Sequence, residues 1–101
     1  YNREEVIEKI YVVAKSMVKQ GMVTEYKSLA ARLIEETRKE PGNISYDLCE
    51  DINNPNVLTF IEKWQDKESL DAHMQMAHFV EIVPMLRELR DSAELSIYKE
   101  L

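Results

Sequence analysis

The chain has 101 residues, 45% of them hydrophobic, and a formal net charge of −6. That length bounds it to one domain with one modest core, and the apolar fraction is that of a globular chain rather than a disordered one. An acidic surface repels phosphate backbones and anionic membranes, so nucleic acid and membrane surfaces are poor partners.

Cys49 is the only cysteine, so no intrachain disulfide can form, which fits a reducing compartment. No leader peptide is legible, and the longest apolar run, Ile10 to Ala14, is far too short to span a bilayer. The expected location is cytoplasmic.

Residues 1–8 are polar apart from Val6 and Ile7 and read as an N-terminal extension; the domain proper runs from 9 to 101. Lys9 to Val18 reads as a strand with Ile10, Val12 and Ala14 on one face and Tyr11, Val13 and Met17 on the other. Both faces are largely apolar, the pattern of a strand covered on both sides. Gly21 ends it. A helix follows from Val23 to about Lys39, with Thr24 as N-cap and Tyr26, Leu29, Ala30, Leu33 and Ile34 as its inward stripe. Pro41-Gly42 stops this helix.

Residues 43–50 alternate, with Ile44, Tyr46 and Leu48 on one side. DINNPN at 51–56 signals a longer hairpin loop. The strand at 57–64 returns with Leu58, Phe60, Glu62 and Trp64 sharing a face. Residues 65–90 are helical in two pieces. Asp66 or Ser69 caps the first piece, and Leu70, His73, Met74 and Ala77 form its stripe. Pro84 must kink or restart the second. The last strand is about Glu94 to Leu101, with Leu95, Ile97 and Leu101 on one face.

The order β-α-β-β-α-β is that of an α+β ferredoxin-like protomer with an antiparallel sheet and helices on one face. Its open apolar face needs a cover, and a symmetric homodimer is the simplest one.

The stretch EKWQDKESLDAHMQMAHF, 62–79, holds the only Trp and both His residues. His73 and His78 are five apart, which leaves about 140° between them on a continuous helix. They diverge unless a break near Met76-Ala77 intervenes, no nearby Cys pair or acidic triad accompanies them, and no metal site is expected. His73 lies on an apolar stripe, either as a packing residue or as an acid or base. Trp64 is a core residue or a platform for a ring. Glu62 sits between Phe60 and Trp64. A carboxylate there either pairs at an edge or lines a polar spot in a cavity, with its pKa raised. Five Met residues look like core or cavity filler. No GxGxxG, P-loop or GxSxG motif is present.

The first strand IYVVAKSMVKQG, the segment EPGNISYDL, the strand end IEKW and the following SLDAHMQMAHF together resemble the antibiotic biosynthesis monooxygenase family, including its quinol monooxygenase members. The resemblance covers residues 9 to 101 and rests on E-x-W followed by L-x-A-H. It implies a dimeric α+β barrel with a cavity between sheet and helices. It further implies cofactor-independent oxidation of a small phenol or quinol by O₂. His73, Trp64 and Glu62 would be catalytic, His73 as base and Trp64 as a wall that stacks on the ring. His78, Phe79, Phe60 and Met74 would bind substrate. No cofactor or metal is implied, and the partners are a second copy and a small aromatic ligand. Met76-Ala77 stands where the family has Ser/Thr-Pro, which weakens the helix restart. Val12 and Val83 stand where haem-degrading relatives carry Asn and an axial His, so haem degradation is not expected. An isomerase or a non-catalytic binding or stress-related module on the same barrel stays as an alternative. The isomerase would need a phosphate site, and a cavity filled by Met17, Met74 and Met85 would favour the non-catalytic module.

Overall fold

The computed structural model describes residues 7–101; residues 1–6 of the expected extension lie outside them. The elements are β1 (Ile10–Val18), α1 (Val23–Thr37), β2 (Asn43–Asp51), β3 (Asn54–Trp64), α2 (Lys67–His73), α3 (Ala77–Glu88) and β4 (Arg90–Lys99). The four strands form one sheet in the order β2-β3-β1-β4, every pairing antiparallel. This is the ferredoxin-like β-α-β-β-α-β arrangement, its second helical segment broken in two.

One face of the sheet makes the core. Ile10, Val12, Leu58, Phe60 and Trp64 stack with Tyr26, Ala30 and Leu33 of α1, Leu70 of α2, and Ile82 and Leu86 of α3. The i, i+4, i+7 spacing of Tyr26, Ala30 and Leu33 is why α1 lies along the sheet. Leu29 and Ile34 flank that stripe, half-buried. The opposite sheet face carries Tyr11, Val13, Met17 and Ile61, none of them fully buried.

Several local expectations are corrected. Thr24 does not cap α1; Met22 takes the N-cap position and no side chain caps it. Gly21 makes the preceding turn at φ 81°, a conformation that favours glycine. The β2–β3 connection is a two-residue turn at Ile52-Asn53, not a longer loop. Asp51 Oδ1 accepts from the Asn53 amide at 2.7 Å, and Asn54 Oδ1 from the Asn56 amide at 3.0 Å. These local bonds let a sequence rich in turn residues tighten into the hairpin. Ile44 leaves the buried face, because the register with β3 shifts between Asn43 and Ser45. Pro84 does not interrupt α3. Pro84 and Val80, whose carbonyl loses its helical donor, are both on the solvent side. Strand β4 starts at Arg90, earlier than the alternation suggested.

No helix of the described residues is long and apolar enough to cross a membrane.

Candidate active site

Strand period places Glu62 and Trp64 side by side on the covered face. The indole Nε1–H of Trp64 donates to Glu62 Oε1 at 3.0 Å. This explains the E-x-W spacing in physical terms: two residues apart is the shortest separation that puts an indole donor and a carboxylate on one face. Glu62 is only 5% exposed. Burial pushes its pKa up to about 7, with the Glu40 charge adding to the rise and the Trp64 hydrogen bond opposing it.

Helix α2 carries His73. Asp66 is its N-cap, accepting from the Ser69 amide and hydroxyl, each at 2.7 Å. The i, i+3 spacing then turns Leu70 and His73 inward together, and both are buried. The His73 ring lies 4.6 Å from the Trp64 ring, 5.0 Å from Phe79 and 5.4 Å from Tyr46, centroid to centroid. Burial lowers its pKa, while the Glu40 carboxylate pulls the other way. Burial is the larger effect, and the nearby His78 adds to the lowering.

Glu40 escapes the sequence reading. It follows α1 in the turn before β2 and is buried. Its Oε2 accepts from His73 Nδ1 at 2.7 Å and from His78 Nε2 at 2.7 Å. The loop is held by the Asn43 amide on the Glu40 carbonyl at 3.1 Å and the Gln65 amide on the Gly42 carbonyl at 2.9 Å. Gly42 is required here: a Cβ would run into the side chain of Ser69, so only glycine lets the loop press against α2. One signal was available. An acid just past a helix C-terminus faces the negative end of the helix dipole and calls for another reason to be there.

His78 reaches Glu40 because the helix is not continuous. After His73 the chain closes a tight turn, with the Met76 amide on the His73 carbonyl at 3.1 Å. Met76 is extended at ψ 147°, and α3 restarts at Ala77 without a side-chain cap. This one extended residue overturns the expected divergence of the two histidines. Glu40, His73 and His78 place their donor atoms within 4.8 Å of one another, the group among the described residues that could hold a divalent cation. In this structure hydrogen bonds join them. A carboxylate oxygen only accepts, so His73 Nδ1 carries the proton and the neutral ring's lone pair falls on Nε2. That nitrogen has no protein partner among the described residues.

A cavity of about 170 Å³ opens beside this cluster. Glu62 and His73 are among its polar lining residues at one end, Ser16, Tyr26 and Arg90 at the other, and apolar groups such as Val12, Phe60, Phe79 and Leu86 make up much of the rest. Met74 lines it as well, whereas Met17 and Met85 do not. Trp64 is not on this wall. It is fully buried behind Glu62 and His73, so it holds the carboxylate rather than stacking on a ring in the cavity. His78 is not on the wall either; it borders a separate hollow with Arg32, Glu35 and Glu81. Burial, chiefly, also drives the Tyr46 phenol above its usual pKa, so this lining residue stays protonated.

The fold and the site define a class of protein: a ferredoxin-like protomer whose sheet and helices enclose a small apolar cavity bounded by buried acid–base groups. The chain belongs to the antibiotic biosynthesis monooxygenase family, whose sequence profile, described as "Antibiotic biosynthesis monooxygenase", matches residues 9–85. It is 34% identical over 90 residues to "Putative monooxygenase YcnE" of Bacillus subtilis strain 168, covering 89% of this chain and 94% of that protein. It is 37% identical over 91 residues to the uncharacterised protein sll1783 of Synechocystis sp., covering 89% of this chain but spanning only 62% of that protein's length. A crystal structure of a conserved protein from Methanosarcina mazei Go1 superposes with a TM-score of 0.91 at 44% identity, covering 94% of this chain and 95% of that one. Family and relatives support a monooxygenase-like role in general terms.

Proposed function

We propose that the protein oxidises a small, single-ring phenol or quinol with O₂, using the substrate itself as the electron source. The observation that carries this reading is His73. Burial lowers its pKa and Glu40 fixes it at Nδ1, which leaves Nε2 as the available proton acceptor of a residue that lines the cavity. Size supports one ring: a cavity of about 150 Å³ is known to take up benzene.

In this scheme His73 Nε2 takes the phenolic proton, giving an electron-rich phenolate. The phenolate passes one electron to O₂, giving a phenoxyl radical and superoxide. These recombine at a ring carbon that bears hydrogen, and the proton held by His73 returns to the peroxide. The O–O bond then breaks as the ring C–H proton leaves. One oxygen remains as the new carbonyl and the other departs as water. Phenol plus O₂ thus gives quinone plus water, with all electrons drawn from the substrate. The protein contributes a dry pocket, ring orientation between Phe60 and Phe79, and a proton acceptor. Glu62, with its pKa near neutrality, is the second group able to exchange a proton there.

The same reading includes a second copy over the open sheet face, whose Tyr11, Val13, Met17 and Ile61 would otherwise stay in water. Light scattering after size exclusion tests it: a dimer that Ile61→Glu reduces to monomer supports it, and a wild-type monomer contradicts it. The chemistry is tested by oxygen uptake with a panel of reduced quinols and phenols against a protein-free blank.

A further inference from the structure

The cavity has a second polar end, built from Ser16, Tyr26 and Arg90. The Tyr26 hydroxyl donates to Ser16 Oγ at 3.2 Å, and Arg90 Nη1 approaches the same oxygen at 3.4 Å. Ser16 is 2% exposed. Among the described residues its own O–H meets no acceptor, and Arg90 meets no carboxylate within ion-pairing distance. Glu94, also near this wall, stands opposite Lys15 in the sheet. A half-buried guanidinium with no counter-charge, in a chain of net charge −6, is a cation waiting for an anion.

A β-bulge puts it there. Ala93 stands opposite Ser16 and Ser92 opposite Met17, but Val18 stands opposite Arg90, so Asp91 is the extra residue. Unbroken alternation would set Asp91 on the cavity face. The bulge replaces an acid with a base at the cavity wall, and Asp91 is left exposed.

The two ends are complementary. Glu62 and His73 present acceptors; Ser16 and Arg90 present donors. Val12, opposite Glu62, and Ser16 are four residues apart on β1, about 13 Å at the strand rise. A single ring with a short carboxylate arm spans that distance, with one hydrogen bond at each end. We infer that Ser16 and Arg90 form an anion subsite, and that the ligand is a phenol whose ring carries a carboxylate arm, its hydroxyl toward Glu62 and His73. One guanidinium and one hydroxyl match the single charge of a carboxylate better than a phosphate dianion.

This inference rests on the proposed phenolic substrate for its choice of probe, but its readout is binding, without turnover. Calorimetric titration compares 4-hydroxyphenylacetate, 4-ethylphenol and 4-hydroxyphenyl phosphate. The carboxylate should bind about tenfold more tightly than 4-ethylphenol, the size of one charge-assisted contact. Arg90→Gln and Ser16→Ala should each shrink that margin and leave 4-ethylphenol unchanged, with Arg90→Lys recovering part of it. Equal affinity for the first two probes, tightest binding of the phosphate, equal weakening of every probe by Arg90→Gln, or no binding of any probe overturns the inference. Carboxylate preference without oxygen uptake would leave the subsite standing and remove the oxidation reading; uptake without preference would do the reverse.

Discussion

The two ends of the cavity are made in different ways. The Glu62–His73 end is assembled from three separate elements, β3, α2 and the loop after α1, with Glu62 braced by Trp64 and His73 by Glu40. The Ser16–Arg90 end sets two adjacent strands, β1 and β4, against Tyr26 of α1 and is left with unspent donors. The first end is built to fix protonation states and the second to receive charge. Changes at the first should therefore alter chemistry and stability, and changes at the second should alter binding alone.

The largest effect is expected from His73→Ala. If His73 is the base, oxygen uptake should fall by about 10²–10⁴-fold, the usual worth of a positioned acid or base, while the circular dichroism spectrum stays native.

The next effect is on stability against pH. Glu62 has a folded pKa of about 7 against 4.5. The folded state therefore keeps a proton that the unfolded state releases. Stability is fullest below pH 4.5 and declines as pH rises to about 7, by roughly 3 kcal/mol in total. Glu62→Gln should remove that decline, so urea denaturation should show the variant more stable than wild type at pH 8 and nearly equal to it at pH 4. His73 has the opposite sign. Its pKa is lowered, so its contribution is present above the ordinary value near 6.5 and is lost as pH falls through the lowered one.

Glu40→Gln should cost less than removing His73, about 10- to 10²-fold in oxygen uptake, as a group that orients a reacting residue does. Its nitrogen-15 spectrum should show the His73 proton no longer confined to Nδ1. A wild-type tautomer in the variant would show that Glu40 does not position the ring. Smallest is Trp64→Phe, which takes the donor from a buried carboxylate. It should cost about 1–3 kcal/mol of stability and push the Glu62 titration, followed by carbon-13 shift, further up.

The end rich in motifs was largely legible. Alternation put Glu62 and Trp64 together, and the stripe through Leu70 turned His73 inward. The element order was legible too, because it rests on periodicity. What escaped depends on breaks in periodicity. Glu40 lies in a turn, where no period operates, and only its adverse place at a helix end marked it. The meeting of His78 with His73 depends on one extended residue, Met76, at the join of two helical pieces, where no period says how the second restarts. Arg90 faces the cavity because a bulge slips the register by one, which reverses the faces beyond it. Ile44 left the core for the same reason. For Trp64 alternation gave the side and left core residue or ring platform open; the structure shows the core residue, and the stacking wall came from the resemblance.

The most direct test of the central claim is oxygen uptake by the wild type and by His73→Ala, measured on the same quinol and phenol panel against a protein-free blank. With His73 as base, wild-type uptake should stand well above autoxidation and collapse in the variant while both proteins stay folded. Uptake equal to the blank in the wild type, or undiminished in His73→Ala, would contradict it.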